Sequence, residues 1–289
     1  MKILLLLYLV SFSLNLFAIY DEDDRKDLFE ITDPKLKKAA TAMAYQIEFV
    51  ELSGWTFNRY WTRVMEPFQQ RGICEDEKFS AQLSMRNNCT AILVSPKHLL
   101  TAGNCITEHY CSNDLYWFMF DHNLKSDGAF DVKHHNDNFF RCDKIVKRVF
   151  DPNTATSFTL MELKKEVKGV TPLKFRKSGS LELHEELIVM GHPRGLPLKI
   201  ANNVQAWDQN ETHFTLNSDI SGETRGAAIL NAKTLELEGI LIYGTSNYEQ
   251  IGRDCQNTPV YPNSGARELA IKTSVFRELL VALPHELNQ

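Results

Sequence analysis

The chain has 289 residues, of which 43% are hydrophobic and 24% are charged, so its composition predicts a packed core and excludes wholesale disorder. The formal net charge of -5 argues against nucleic acid as a partner, because phosphate binding depends on a basic surface. After the first residues, no apolar run is long enough to span a bilayer.

The N-terminal residues have the pattern of a secretory signal peptide. Residues 1–18, MKILLLLYLVSFSLNLFA, place Lys2 before a long apolar stretch and end in the small residue Ala18. We therefore expect cleavage after Ala18 and export to the periplasm or the medium. The alternative is an N-terminal anchor that is not cleaved.

The cysteines fit a protein that works outside the cytoplasm. They are Cys74, Cys89, Cys105, Cys111, Cys142 and Cys255. An even number of cysteines in an exported chain predicts disulfides, but six cysteines allow 15 pairings and the sequence does not choose among them. No CxxC motif occurs, and the adjacent His134 and His135 fit a solvated polar loop better than a metal site. We therefore expect neither a metal nor a cofactor.

The rest of the chain divides by its residue pattern. Residues 19–50 are charged and predict an extended or helical lead-in. From Cys89 onward, short runs rich in Ile, Val, Leu, Phe and Tyr are bounded by Gly, Pro, Asn or Asp, which is typical of many short antiparallel strands. These runs are residues 89–96, 115–120, 144–150, 158–163, 186–191, 198–207, 212–217, 226–231 and 238–244. Residues 268–283, ELAIKTSVFRELLVAL, have apolar residues at helical intervals and predict a C-terminal helix.

Seven stretches, in this order, carry a resemblance to a known family. They are IYDEDDR, CEDEKF, CTAILVSPKHLLTAGNC, SFTLMEL, VMGHPRGLPLK, SDISGETRGAAILN and LEGILIYG. On these stretches the chain resembles secreted bacterial trypsin-like serine endopeptidases of the chymotrypsin type. The resemblance implies an all-β fold of two packed antiparallel six-stranded β-barrels, with a C-terminal helix and an active-site cleft between the barrels. We place the first barrel in residues 51–170 and the second in residues 171–289, and the resemblance implies a disulfide between Cys89 and Cys105.

The family's catalytic side chains are replaced in this chain. Asn104 stands at the histidine position of TAGNC, and a carboxamide cannot accept a serine proton near neutral pH. Ser157 stands at the position of the aspartate that orients the histidine, so the negative charge is missing. Arg225 stands at the nucleophile, and a guanidinium is not nucleophilic. Glu223 replaces the glycine of the oxyanion hole, which puts a carboxylate close to a developing negative charge.

The resemblance also assigns a specificity pocket. Its floor would be Asp219, six residues before Arg225, and its wall would be Ile242, Tyr243 and Gly244. Asp219 is equally well explained as a turn residue. One hypothesis is that Arg225 turns back and closes the cleft with an ion pair to Asp219 or to the neighbouring Glu223.

These replacements predict a protease homologue without protease chemistry, whose cleft binds a protein or peptide such as a protease inhibitor or an active relative. Two other hypotheses remain open from the sequence. One is an active serine endopeptidase with a displaced triad, for which His98 and His192 are the histidines nearest the motifs. The other is a structural, envelope-associated protein that uses the fold only as a scaffold.

Overall fold

The computed structural model describes residues 19–20, 22–49, 52–56, 59–62, 65–86, 89–126, 133–220, 224–244, 249–251, 255–258, 260–261 and 268–284. The predicted signal peptide, residues 1–18, lies outside these ranges, as does Glu223 of the predicted site.

The described elements are mostly strands. The strands of the N-terminal half are β1 Ile19–Tyr20, β2 Lys26–Asp27, β3 Met43–Glu48, β4 Leu52–Thr56, β5 Arg59–Thr62, β6 Glu66–Pro67, β7 Leu83–Ser84, β8 Thr90–Ser95, β9 His98–Thr101, β10 Tyr116–Phe120, β11 Lys133–His135, β12 Phe139–Asp151 and β13 Thr156–Leu163. Those that follow are β14 Glu186–Gly191, β15 Lys199–Gln209, β16 His213–Leu216, β17 Ala228–Asn231, β18 Leu237–Tyr243, β19 Glu249–Ile251, β20 Cys255–Asn257, β21 Val260–Tyr261 and β22 Glu268–Lys272. The α-helices are α1 Pro34–Ala40, α2 Glu108–Ser112 and α3 Arg277–Val281.

The first barrel is closed by six antiparallel strands in the order β10, β12, β13, β9, β8 and β3. Closure covers the inner face of the barrel, and every residue of β8 and β9 is buried, whereas β12 is mostly exposed or half-buried after its first residues. The barrel begins at Met43, eight residues before the predicted boundary at 51. The strand β3, MAYQIE, lies within residues 19–50, which were predicted to be the lead-in. It belongs to the barrel because it pairs with both β8 and β10.

The second barrel runs β14, β17, β18, β22, β16 and β15, and closes through the pairing of β14 with β15. The two six-stranded antiparallel barrels confirm the predicted fold class. The predicted C-terminal helix over 268–283 is wrong in its first part. Glu268–Lys272 is a strand because it fills the gap between β16 and β18, and only Arg277–Val281 is α-helical.

The N-terminal lead-in is bound to the second barrel. The strand β1 pairs in parallel with β21, and β2 adds to the edge of β15 so that Asp27 lies opposite Lys199. Helix α1 begins after the N-cap Asp33, whose side chain accepts the Lys35 N–H, and it buries Leu36 in the core. The lead-in therefore follows the surface of the barrels instead of extending away from them.

Three disulfides join all six cysteines: Cys74–Cys255, Cys89–Cys105 and Cys111–Cys142. The second is the pair that the family resemblance implied. Disulfides persist in oxidising compartments, so this set fits an extracellular or periplasmic location. Within the described ranges, no helix combines the length and the apolar character that crossing a bilayer requires.

Candidate functional site

The turn that follows β9 holds the first predicted site residue. Asn104 is exposed, whereas its neighbours Gly103 and Cys105 are buried, and the Cys89–Cys105 disulfide anchors the turn to the residue before β8. Gly103 lies so close to β12 that a Cβ atom would be 1.9 Å from the carbonyl oxygen of Val149. Only glycine fits there, and the tight contact holds the Asn104 backbone against the first barrel.

Ser157 reaches the same turn from β13. Its hydroxyl is buried and accepts the Gly103 N–H at 3.0 Å, while the Arg148 Nε–H donates to the Gly103 carbonyl oxygen at 2.7 Å. Both polar groups of the Gly103 backbone are therefore held by side chains. The structure brings Ser157 next to the residue that precedes Asn104. No motif in the sequence indicated that Arg148 holds this turn.

Arg225 lies in the turn before β17, at the junction of the two barrels. Its carbonyl oxygen accepts the Thr90 N–H at 2.9 Å. Gly226 has a φ of +82°, and a Cβ atom on it would be 2.1 Å from the Thr90 carbonyl oxygen and 2.4 Å from Thr101 Oγ1. Since Thr101 also donates to the Thr90 carbonyl at 2.6 Å, the Arg225 turn packs directly on the strand that leads to Asn104. The three predicted stretches thus meet between the barrels.

Asp219 does not face an open pocket. One carboxylate oxygen accepts the Tyr20 N–H at 2.8 Å and the other accepts the Asp24 N–H at 2.9 Å, so the N-terminal segment covers it. Asp219 is 4% exposed, and this burial raises its pKa to about 8. Arg225 does not pair with Asp219, and no carboxylate in the described part of the chain pairs with its guanidinium. These contacts join residues about 200 positions apart in sequence, which is why the motifs did not indicate them.

The predicted pocket wall lies at the end of β18. Ile242 is buried, Tyr243 is 62% exposed and Gly244 is partly exposed. The Tyr243 side chain is therefore accessible to solvent. Asp219, which the resemblance puts at the pocket floor, is covered by the N-terminal segment.

His192 is a histidine close to the junction, but its surroundings make it a poor base. Its Nδ1 lies 3.2 Å from Thr90 Oγ1, its ring stacks on His122 at 5.4 Å, and it is 1% exposed. Burial, with a smaller contribution from the Lys199 charge, lowers the pKa of His192 to about 3. A general base is effective when its pKa lies near the working pH, so a neutral buried imidazole of this kind is suited to packing.

We expect this histidine to make the fold sensitive to acid. A histidine in the unfolded chain has a pKa of about 6.5, so between pH 6.5 and about 3 the unfolded state binds a proton that the folded state does not. The free energy of unfolding should therefore fall as the pH drops through this range. Urea unfolding midpoints at several pH values should depend less on pH for His192→Asn than for the native protein.

Asp219 is present in both the variant and the native protein, so its contribution cancels when their pH dependences are compared. Its raised pKa changes the free energy of unfolding in the opposite direction to that of His192. Asp219 adds stability at low pH, and that stability is lost as the pH rises from about 4 to about 8. Equal pH dependence in the native protein and in His192→Asn would show that His192 is not the acid-sensitive group.

The residues at the three predicted positions differ from those that acyl transfer uses in serine peptidases. An exposed carboxamide, a buried hydroxyl and a guanidinium stand at these positions, and a serine nucleophile needs an imidazole or an equivalent base to take its proton. In the stretches that the structure describes, no three His, Cys, Asp or Glu side chains are grouped to hold a metal ion.

Comparisons with known proteins agree with this fold. The family model described as the trypsin-like peptidase domain matches residues 89–240. Among solved structures, the VesB protease of Vibrio cholerae superimposes with a TM-score of 0.52 and 13% sequence identity. The alignment covers 89% of this chain and 66% of VesB, so this chain spans just under two thirds of that protein. No curated protein matches the sequence.

Proposed function

The chain belongs to the family of trypsin-like peptidase domains, and from this premise we propose that it is an exported, catalytically inactive member that binds a protein or peptide in the former active-site cleft. The observation that carries the proposal is the meeting of three backbone stretches at the junction of the barrels. These stretches carry Asn104, Ser157 and Arg225, the residues that the resemblance aligns with the family's base, orienting carboxylate and nucleophile.

The loss of catalysis follows from the three side chains together. Asn104 offers no basic nitrogen, and the Ser157 hydroxyl is occupied by the Gly103 N–H at 3.0 Å. Arg225 stands at the nucleophile position of the resemblance, and a guanidinium has no nucleophilic oxygen. Loss of one triad member already lowers the rate by about 10⁴-fold, so the loss of all three leaves no route for peptide hydrolysis.

Binding does not need the same groups. A cleft retains recognition of a peptide ground state when it loses the groups that stabilise the transition state. The exposed Asn104 and Tyr243 and the partly exposed Arg225 supply an amide, an aromatic ring and a cation for contacts with a ligand. Because the N-terminal segment covers Asp219, these contacts would be made along the cleft instead of in a deep charged pocket.

Export supports a function outside the cytoplasm. The three disulfides need an oxidising compartment, and the N-terminal residues have the pattern of a signal peptide that ends at Ala18. Mass spectrometry of the protein from periplasmic and medium fractions should find a mature N-terminus at Ile19. A chain that retains residues 1–18 would contradict export by a cleaved signal.

We expect the native protein to leave casein and short chromogenic peptides uncleaved. A variant with the family's side chains should cleave these substrates about 10³-fold or more faster than the native protein, because it restores a base, an orienting carboxylate and a nucleophile. Its substitutions are Asn104→His, Ser157→Asp, Glu223→Gly and Arg225→Ser. The same variant without Asn104→His is the control and should stay inactive, because the serine then lacks a base.

Two results would count against the proposal. Turnover by the native protein that a serine-reactive phosphonate abolishes would identify an active endopeptidase. A folded quadruple variant with no activity would mean that the junction does not correspond to the family's catalytic site.

A displaced triad has little support in the described structure. A serine hydroxyl contacts a histidine ring where Ser95 Oγ lies 2.7 Å from His98 Nδ1. Ser95 is only 2% exposed and His98 only 6%, so a peptide bond cannot reach the hydroxyl. The nearby Glu162 is held by Lys97 at 2.7 Å and by Lys144 at 2.9 Å, so its carboxylate is already paired with two cations.

A further inference from the structure

A cluster of exposed apolar side chains lies on the first barrel, away from the junction. Phe49, Tyr110 and Leu115 are 50%, 38% and 40% exposed, and we call them the aromatic patch. Their backbones are adjacent, because the Phe49 N–H donates to the Leu115 carbonyl at 3.0 Å and the Leu115 N–H donates to the Tyr110 carbonyl at 3.1 Å. The ring of Tyr116 extends the surface at 5.0 Å from Tyr110. Contiguous exposed apolar surface of this kind marks interaction sites.

A basic groove lies beside the aromatic patch. It is a cavity of about 400 Å³ lined by Trp117, Asn136, Phe139, Arg141, Lys164 and Lys165. The two surfaces are continuous, since the Phe49 ring packs on the Trp117 ring at 5.3 Å and Arg141 lies over the same Trp117 ring at 5.5 Å. The groove therefore joins an apolar floor to a cationic rim.

The rim carries positive charge that the protein does not fully neutralise. Asp114 accepts from Arg141 at 3.1 Å and from Lys164 at 2.7 Å, so one carboxylate serves two cations. No carboxylate in the described ranges pairs with Lys165, whose ammonium lies 4.6 Å above the Phe140 ring. Because exposed ion pairs are weak, a ligand carboxylate can replace Asp114 on Arg141 or Lys164 at little cost.

The surface is held in place before any ligand binds. The Cys111–Cys142 disulfide ties helix α2, which carries Tyr110, to strand β12, which carries Arg141. The Trp117 indole N–H donates to the Asp114 carbonyl at 3.0 Å and fixes the ring at the edge of the groove. Rigid aromatic and Arg side chains lose little entropy on binding, which is why they dominate protein interfaces.

The surface is separate from the former active site. Strand β12 runs from Arg141 at the groove to Arg148 at the Gly103 turn, about 23 Å along the strand at about 3.3 Å per residue. Substitutions at one end should therefore leave the other end unchanged.

We propose that the aromatic patch and the basic groove together form a docking surface for an acidic, apolar-containing segment of a partner protein. The carboxylates of the segment face Arg141, Lys164 and Lys165, and its apolar side chains cover Phe49 and Leu115. Charge complementarity favours this occupant, because the groove is lined by three cations, two of which share Asp114 while no described carboxylate pairs with Lys165. The proposal does not depend on the loss of catalysis at the junction.

The test uses the full exported protein and a fluorescein-labelled peptide in which glutamate alternates with leucine. Fluorescence anisotropy should show saturable binding that weakens as salt is added, and a peptide with lysine in place of glutamate should not bind. Lys165→Glu should weaken binding about ten-fold or more, since it reverses a rim charge that no described carboxylate neutralises. Leu115→Ser should also weaken binding while salt dependence is retained.

Lys168→Glu is the matched control, because it makes the same charge change at an exposed lysine of the same loop outside the groove. It should bind the acidic peptide as the native protein does. Equal binding of the acidic and lysine peptides, or equal loss in Lys165→Glu and Lys168→Glu, would overturn the proposal.

Two other occupants have distinct outcomes. Concentration-dependent dimers in sedimentation that Lys165→Glu dissociates would identify a second copy of this chain and overturn the peptide assignment. Binding to vesicles of anionic phospholipid that the acidic peptide does not displace would identify a membrane surface instead.

Discussion

Replacing Lys199 by methionine is expected to lower the free energy of unfolding by about 3–5 kcal/mol. Lys199 is fully buried in β15, where its ammonium donates to Asp27 of β2 and, at 2.7 Å, to Gln82. Burial lowers the pKa of Lys199 to about 8, against the opposing charge of Asp27. The substitution leaves the Asp27 carboxylate charged and buried without its cation, which costs far more than the lost contact alone.

Urea unfolding followed by circular dichroism measures this effect. Lys97→Met is the control, because Lys97 also forms an ion pair, at 2.7 Å to Glu162, but on the surface, and its loss should be far smaller. Adding Asp27→Asn to Lys199→Met should recover part of the loss, since the stranded charge is then removed. Losses of the same size for Lys199→Met and Lys97→Met would mean that the pair is not buried.

Loss of the Asp27–Lys199 pair should also affect the N-terminal segment that covers Asp219. The Asp27–Lys199 pair fastens β2 to the second barrel three residues after Asp24, whose backbone N–H covers Asp219. If the pair is lost, the N-terminal segment should detach more readily, and the Asp219 carboxylate should become accessible. Proteolysis of the lead-in in Lys199→Met, compared with the native protein, reports this directly.

Gly226→Ala is expected to cost about 3 kcal/mol or more and to disturb the junction of the barrels. The new Cβ atom would lie 2.1 Å from the Thr90 carbonyl oxygen and 2.4 Å from Thr101 Oγ1, and the backbone φ of +82° adds strain for any residue but glycine. Since Thr90 and Thr101 belong to the core strands β8 and β9, neither atom can move away cheaply.

Gly72→Ala separates the two causes. Gly72 has the same φ of +82°, but no atom lies within 4 Å of the position that its Cβ would take, so its substitution costs only the backbone strain of about 1–2 kcal/mol. The difference between the two variants in the free energy of unfolding therefore measures the cost of the contacts that a Cβ atom at position 226 makes with Thr90 and Thr101. If Gly226→Ala is no more destabilising than Gly72→Ala, Arg225 does not lie against the strand that leads to Asn104.

Several features of the molecule could be predicted from its sequence because they depend on local patterns. Short β-rich runs between turn residues indicated many antiparallel strands, and the family resemblance implied two six-stranded barrels, which the structure confirms. The hydrophobic pattern was less informative where it fitted both a helix and a strand. Residues 268–272 are apolar at helical spacing, yet they form β22 because two neighbouring strands offer hydrogen bonds on both sides.

Some features of the candidate site could likewise be predicted from the sequence, and others could not. The identities of Asn104, Ser157 and Arg225, together with the family resemblance, were enough to carry the proposal of an inactive site, because a carboxamide, a hydroxyl and a guanidinium differ in proton affinity from the side chains they replace. Only the fold could reveal that Asp219 is covered by the N-terminal segment, and that Arg148 holds the Gly103 turn. Those contacts depend on where distant strands place their backbone groups.

Residue type and local spacing in the sequence indicated a chain of many short strands with an even number of cysteines, and the family resemblance implied the two barrels and the site positions Asn104, Ser157 and Arg225. The tertiary structure alone decided the pairing of the other four cysteines, the strand β3 inside the lead-in and the burial of Asp219 and Lys199. Burial and long-range hydrogen bonds arise when segments far apart in the chain are packed together, and a residue's neighbours in sequence carry no information about that packing.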